Sequence, residues 1–328
     1  SRQWRGPGSI AGASQADGTA KRRQRQASTA RGGGQRSTTR AGRRTIAAVA
    51  GLPAWRHACP WPMPPLRILI SNDDGVFAAG IQALAAEAVR RGHQVTVVCP
   101  DQERSATGHG LTLQTPLRAN RADDLFAPGV TAWACSGNPS DCVKLALFQL
   151  MAEAPQLVLS GINHGPNLGT DVLYSGTVAA AMEGTIEGLP ALAVSSADFH
   201  WRQFEAAAQL ALEVAEGMLT QGWSPGLLLN LNVPPRPLAA MEPLRWCRTA
   251  VRRYSDQFDQ RQDPRGRTYY WLAGEAVDDL ESALPEPAAW PTDVAWINAG
   301  GPALVPLQPE LFWRGRPEQL PAPTALRP

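Results

Sequence analysis

The sequence predicts an α/β protein whose mostly parallel sheet is covered on both faces by helices. Three observations predict it. Short apolar runs alternate with helix-period segments from Leu66 to Asn232. Those runs are apolar throughout, as strands buried on both faces are. The polar, glycine-rich segments follow the strands, at the C-terminal ends where open α/β sheets bind ligands.

Leu66–Ser71 reads as the first strand and Gly80–Arg91 as a helix, with Ile81, Leu84, Ala85 and Ala88 on one face. Gln94–Cys99 is the next strand, stopped by Pro100-Asp101. Cys142–Met151 reads as helical and Leu157–Ser160 as a short buried strand. Ser175–Glu187 is a small-residue helix with a stop at Gly188-Leu-Pro190. Ala191–Val194 is a strand, Gln203–Gln221 a long helix and Gly226–Asn232 a further strand. Beyond Pro234-Pro235 the chain turns rich in Trp, Arg and Pro, with short β-like runs at Thr268–Leu272 and Val294–Ile297. The expected organisation is a disordered basic extension (1–62), a doubly wound core (63–235), a β-rich extension or arm (236–308) and a Pro-rich tail (309–328).

Composition narrows the function. The chain has 328 residues, is 44% hydrophobic and 18% charged, and carries a net charge of +2. Residues 1–65 hold twelve Lys/Arg against the single acid Asp17, a local +11, which leaves −9 for the rest. An acidic body argues against a nucleic-acid-binding domain. The five cysteines are odd in number and form no C-x-x-C pair, which suits reduced packing thiols in the cytoplasm. No apolar run approaches the ~18 residues that span a bilayer. The Arg- and Ser-rich tail has the composition of a targeting segment, of an extension translated from upstream of Met63, or of an RNA-binding tail.

The chemistry concentrates in four strand-end segments. The first strand ends in Asn72-Asp73-Asp74-Gly75, and two adjacent carboxylates repel unless a proton or cation lies between them. Hard divalent ions such as Mg²⁺ or Mn²⁺ prefer such oxygen ligands. The second strand runs into Pro100–Gly110 and the third into Ser160–Gly169, whose glycines at 161, 165 and 169 permit positive φ. Ser175-Gly176-Thr177 places amides and hydroxyls at a helix N-terminus, a natural anion site. His109 and His164 lie in these loops, as acids toward a leaving alkoxide or as loop histidines bonded to backbone. His57, His93 and His200 read as surface residues.

The segments Ile68-Leu-Ile-Ser-Asn-Asp-Asp-Gly-Val76, Glu103-Arg-Ser-Ala-Thr-Gly-His-Gly-Leu-Thr-Leu113 and Ser136-Gly-Asn-Pro-Ser-Asp-Cys-Val-Lys144 resemble the survival protein SurE family. So do Ser160-Gly-Ile-Asn-His-Gly-Pro-Asn-Leu-Gly169 and Tyr174-Ser-Gly-Thr-Val-Ala-Ala-Ala-Met-Glu-Gly184, in the same order over about residues 66–308. The resemblance implies a Rossmann-like α/β core with a C-terminal extension that assembles homodimers or homotetramers. It implies a metal-dependent phosphatase acting on nucleoside 5′- and 3′-monophosphates with one Mg²⁺ or Mn²⁺. Asp73, Asp74, Ser105 and Asn163 correspond to the family's metal ligands. Asn167 and the Ser175-Gly176-Thr177 turn match the region lining its phosphate pocket, with Asp73 and Asn167 as the catalytic candidates. The competing classes are a non-catalytic nucleotide-binding module and an RNA-associated protein acting through its tail. A covalent aspartyl-phosphate route is disfavoured, because the acids are adjacent rather than two residues apart.

Overall fold

The computed structural model describes residues 63–255, 257–274, 276–280 and 290–310. Nine strands form one sheet in the order β3-β4-β2-β1-β5-β6-β7-β13-β8. The chain enters at β1 (Arg67–Ser71), crosses through α1 (Ala79–Arg90) to β2 (Gln94–Pro100), and adds β3 (Ala119–Arg121) and β4 (Thr131–Cys135) beyond it. After α2 (Pro139–Leu145) it returns to the other side of β1 with β5 (Leu157–His164). It continues outward through α3 (Gly176–Ile186), β6 (Ala191–Ser196), α4 (Glu205–Gln221) and β7 (Leu228–Val233). Pairing is parallel from β4 to β7, and β3 is antiparallel to β4. The winding reverses between β1 and β5, so their C-terminal ends open the crevice where such sheets bind ligands.

Residue alternation along the strands feeds two cores. Ile68, Ile70, Val95, Val97, Leu157 and Leu159 pack with Ile81 and Leu84 of α1 and Leu212 of α4 on one face. Leu69, Val98, Val158, Ala191 and Ala193 pack with Val143 of α2 and Val178 and Ala181 of α3 on the other. Each fully buried Leu or Ile stabilises the fold by about 1.5–3 kcal/mol. The apolar runs of the central strands follow from burial on both sides.

Several boundaries differ from the sequence reading. The helix expected from Cys142 starts at Pro139, because Asn138 and Asp141 form a reciprocal capping box ahead of it, and its last turn relaxes to a π-turn at 146–150. The third strand runs to His164, so Asn163 and His164 sit on the strand end, after a register shift between Ser160 and Asn163. Val294–Ile297 is not a strand but part of the short helix α5 (Asp293–Asn298). Thr292 accepts the Ala295 N–H there, and the buried Asp293 accepts those of Gly169, Ala250 and Val294. His93 is buried, accepting the Leu66 N–H on Nδ1 and donating from Nε2 to Glu216 at 3.1 Å. His200 is exposed, and His57 lies outside the described residues.

Beyond β7 the chain builds β8 (Arg245–Trp246), then β9 (Val251–Tyr254), β10 (Gln257–Gln262), β11 (Thr268–Ala273) and β12 (Ala276–Leu280). The last four make two separate antiparallel pairs, β10 with β11 and β9 with β12. After α5 the chain re-enters the main sheet as β13 (Ala303–Leu307), antiparallel to β7. Among the described residues, no helix is long and apolar enough to cross a membrane.

Candidate functional site

Asp73 and Asp74 follow the last residue of β1, and three other strand-end segments close on them. The Arg104 N–H donates to the Asp73 carbonyl at 2.7 Å, bringing the loop after β2 against the pair. The His164 N–H donates to Asp74 Oδ2 at 3.0 Å, bringing the end of β5. Thr177, at the start of α3, donates its hydroxyl to Asp73 Oδ1. The sequence expectation that these segments converge is met by these bonds.

Gly176 has a specific steric reason. A Cβ there would lie 2.7 Å from Asp73 Cβ and 2.9 Å from Asp73 Oδ2. The Asp73 side chain therefore packs on the bare backbone of the first turn of α3. The group seated at that helix N-terminus is the Asp73 carboxyl, whose ionised form the helix dipole favours. Ser175 is the N-cap, its Oγ accepting the Val178 N–H at 3.0 Å.

Electrostatics at the pair run against ionisation. Asp73 is 5% exposed, and burial raises its carboxyl above the usual range despite the Thr177 bond. Burial, then the Asp73 charge, pushes Asp74 up to about 7, with the Glu103 charge adding to both. Two acids in this condition attract a proton or a cation.

The other candidates divide. Ser105 lies one residue beyond the Arg104 bond, with its hydroxyl donating to Glu103 at 2.6 Å. The Asn163 side-chain amide donates to the Gly165 carbonyl at 2.8 Å, which leaves its side-chain oxygen uncommitted on the segment whose His164 N–H reaches Asp74. Asn167 belongs to a different knot of polar groups. Its side-chain amide donates to Ser195 Oγ at 2.8 Å, and Asn230 and Asn232 both donate to its carbonyl. Its hydrogen bonds thus run to β6 and β7 rather than to the acid pair.

Sequence reasoning missed Glu103, whose charge bears on both acids; its place two residues before Ser105 was the available signal. It also missed the partner of His109. His109 Nε2 meets Glu183 Oε2 at 2.7 Å, and Lys144 forms an ion pair with the same carboxylate, which ties the loop after β2 to α3 and α2. Burial, then Arg202, lowers the His164 pKa, and its Nδ1 faces Arg202 at 3.3 Å. Arg252 and Tyr254 of β9 both donate to Asp171, docking that strand on the turn after β5.

Among the described residues, no group of three or more His, Cys, Asp or Glu is placed to hold a metal ion. Any cation here draws on two carboxylates supplemented by neutral oxygens. The fold and these residues define a doubly wound α/β protein with an acidic site at its strand ends, facing a helix N-terminus. The sequence profile of the family described as Survival protein SurE matches residues 68–256. The chain is 71% identical to the 5′-nucleotidase SurE of Synechococcus sp. (strain CC9605) over 259 residues, 79% of this chain and 96% of that protein. It is 72% identical to the 5′-nucleotidase SurE of Synechococcus sp. (strain RCC307) over 257 residues, 78% of this chain and 94% of that protein. The crystal structure of the SurE protein from Aquifex aeolicus superposes with a TM-score of 0.61 at 35% identity, covering 75% of this chain and 94% of that one. The chain belongs to the survival protein SurE family.

Proposed function

We propose that this protein is a divalent-metal-dependent phosphomonoesterase that hydrolyses nucleoside 5′-monophosphates, and 3′-monophosphates, to nucleoside and phosphate. The 5′-nucleotidase names of its relatives support the substrate class. The observation that carries the chemistry is the Asp73–Asp74 pair, the first buried and the second half-buried, both held toward the protonated state beside a helix N-terminus. The donor set fits a hard cation: two carboxylates whose ionisation a positive charge would relieve, the Asn163 amide oxygen and the Ser105 hydroxyl. Asp73, Asp74, Ser105 and Asn163 would hold Mg²⁺ or Mn²⁺. When bound, such an ion offsets phosphate charge and acidifies water.

The chain's own residues do the rest. Thr177 engages Asp73 Oδ1, which fixes the carboxylate that accepts a proton from the attacking water. Ser175, as N-cap, sets the first turn of α3, which seats the Asp73 carboxylate and so positions it toward the phosphate. Asn167 contributes to those oxygens by exchanging its bond to Ser195 for one to phosphate. Residues 63–235 form the catalytic core, to whose sheet β8 and β13 add, and strands β9–β12 within residues 236–308 are the arm of a homodimer or homotetramer working in the cytoplasm.

The test is phosphate release over a panel of nucleotides with Mg²⁺ and with Mn²⁺, comparing the parent with Asp73→Asn. Near-complete loss of turnover is expected with the melting profile retained. Substantial residual turnover removes Asp73 from the mechanism.

A further inference from the structure

Resting on the nucleotidase reading, we infer that Phe199 is the platform on which the substrate's base stacks. Phe199 follows β6, at the same sheet end as the acids, and is 62% exposed. Exposure alone assigns nothing, since Phe77 and Tyr174 are exposed too; the seat of the Phe199 ring is what sets it apart.

The ring is nevertheless held in place. Its edge lies against the backbone of Gly165, where an added Cβ would fall on the ring itself. Gly165 is also the residue whose carbonyl receives the Asn163 amide at 2.8 Å. The aromatic is thus seated on the strand-end segment that carries a proposed cation ligand.

The turn that presents the ring is rigid. Asp198 Oδ1 accepts the N–H groups of His200 and Trp201 at 2.6 and 3.0 Å. Arg202 Nη1 donates to the Phe199 carbonyl at 2.8 Å and reaches His164 Nδ1 at 3.3 Å, fastening the turn to the same segment from a second point. One edge of the ring is fixed by the site and the rest is open to solvent. With a phosphate at the acid pair, the sugar leads outward past residues 163–165, and the base arrives at this ring. Every base has a π-face, so such a shelf favours nucleotides over base-free phosphate esters without choosing strongly among bases.

The experiment compares kcat/KM for adenosine monophosphate with that for ribose 5-phosphate in the parent, Phe199→Ala and Phe199→Trp, with the bound metal held constant. The parent is expected to prefer the nucleotide. Phe199→Ala is expected to lower that preference about tenfold, through KM for adenosine monophosphate more than through kcat, as loss of a base–aromatic stack does. Phe199→Trp should restore the preference. A preference unchanged within about twofold in Phe199→Ala overturns the inference, whether both substrates hold steady or fall together. A parent that hydrolyses both substrates equally well also overturns it and leaves the nucleotidase reading standing. A parent that releases no phosphate from adenosine monophosphate ends both.

Discussion

Replacing Gly176 by Ala separates the geometry of the acid pair from the stability of the helix that supports it. The new methyl would lie 2.7 Å from Asp73 Cβ, 2.9 Å from Oδ2 and 3.1 Å from Cγ, closer than packed carbon and oxygen atoms come. Asp73 cannot rotate away freely, because Thr177 holds its carboxylate. The side chain, the first turn of α3, or both must move. Overpacking of this kind costs about 1–3 kcal/mol, offset by up to about 1 kcal/mol from replacing a helical glycine. The net loss of roughly 0–3 kcal/mol lowers Tm by at most about 12 °C in a protein of this size. A carboxylate displaced by about 1 Å costs on the order of 100-fold in turnover. Gly184→Ala is the control, since its Cβ would lie 2.7 Å from Val158 Cγ2 on the same helix but in the apolar core. Thermal melting and phosphate release are measured on both variants. Turnover in Gly176→Ala within about threefold of the parent, or an equal fall in Gly184→Ala, refutes the reasoning.

Two further predictions concern ionisation and the far side of the sheet. The folded state holds the Asp74 proton up to about 7, whereas the unfolded chain releases it near 3.8. The stabilising contribution of that proton is therefore complete below ~4 and is lost as the pH rises toward about 7. With chelator present, Asp74→Asn should melt with a flatter pH dependence than the parent from pH 4.5 to 8; identical slopes contradict the buried-acid account. Magnesium should raise the parent's Tm more at pH 8 than at pH 5, because cation and proton compete for the same oxygens. On the α1–α4 face, Glu216 is buried and meets Arg91 at 2.9 Å and His93 at 3.1 Å. Glu216→Ala leaves Arg91 bonded to Glu87 at 2.7 Å and to the Gln209 carbonyl but removes the acceptor of His93, and should cost about 1–3 kcal/mol in urea unfolding, with kcat per folded molecule unchanged; a loss below about 0.5 kcal/mol would show the cluster to be solvated.

The sequence by itself determined the alternation of central strands and helices. A strand buried on both faces must be apolar at every position, and an amphipathic helix must repeat near 3.6 residues, so β1, β2, α1 and α4 are written in local pattern, while α3, buried on nearly every side, is marked by its small residues and its Gly-Leu-Pro stop. It also determined that Asp73 and Asp74 end the first strand, because an apolar run that stops in Asn-Asp-Asp-Gly marks where the chain leaves the sheet. The motif order carried the family.

Short or non-local elements were less legible. β4 mixes buried and half-buried positions, so no clean period marks it. Six-residue α5 takes its helical state from Thr292 and the buried Asp293 more than from its own Val and Ile. β13 is a strand because β7, some seventy residues earlier, offers it an antiparallel edge. The tertiary structure alone decided that Thr177 and Gly176 receive the Asp73 carboxylate, that Asn167 faces β6 and β7, and that Phe199 rests on Gly165. Each joins residues about thirty or more positions apart, and no local period or spacing encodes a contact made only when the sheet has been wound.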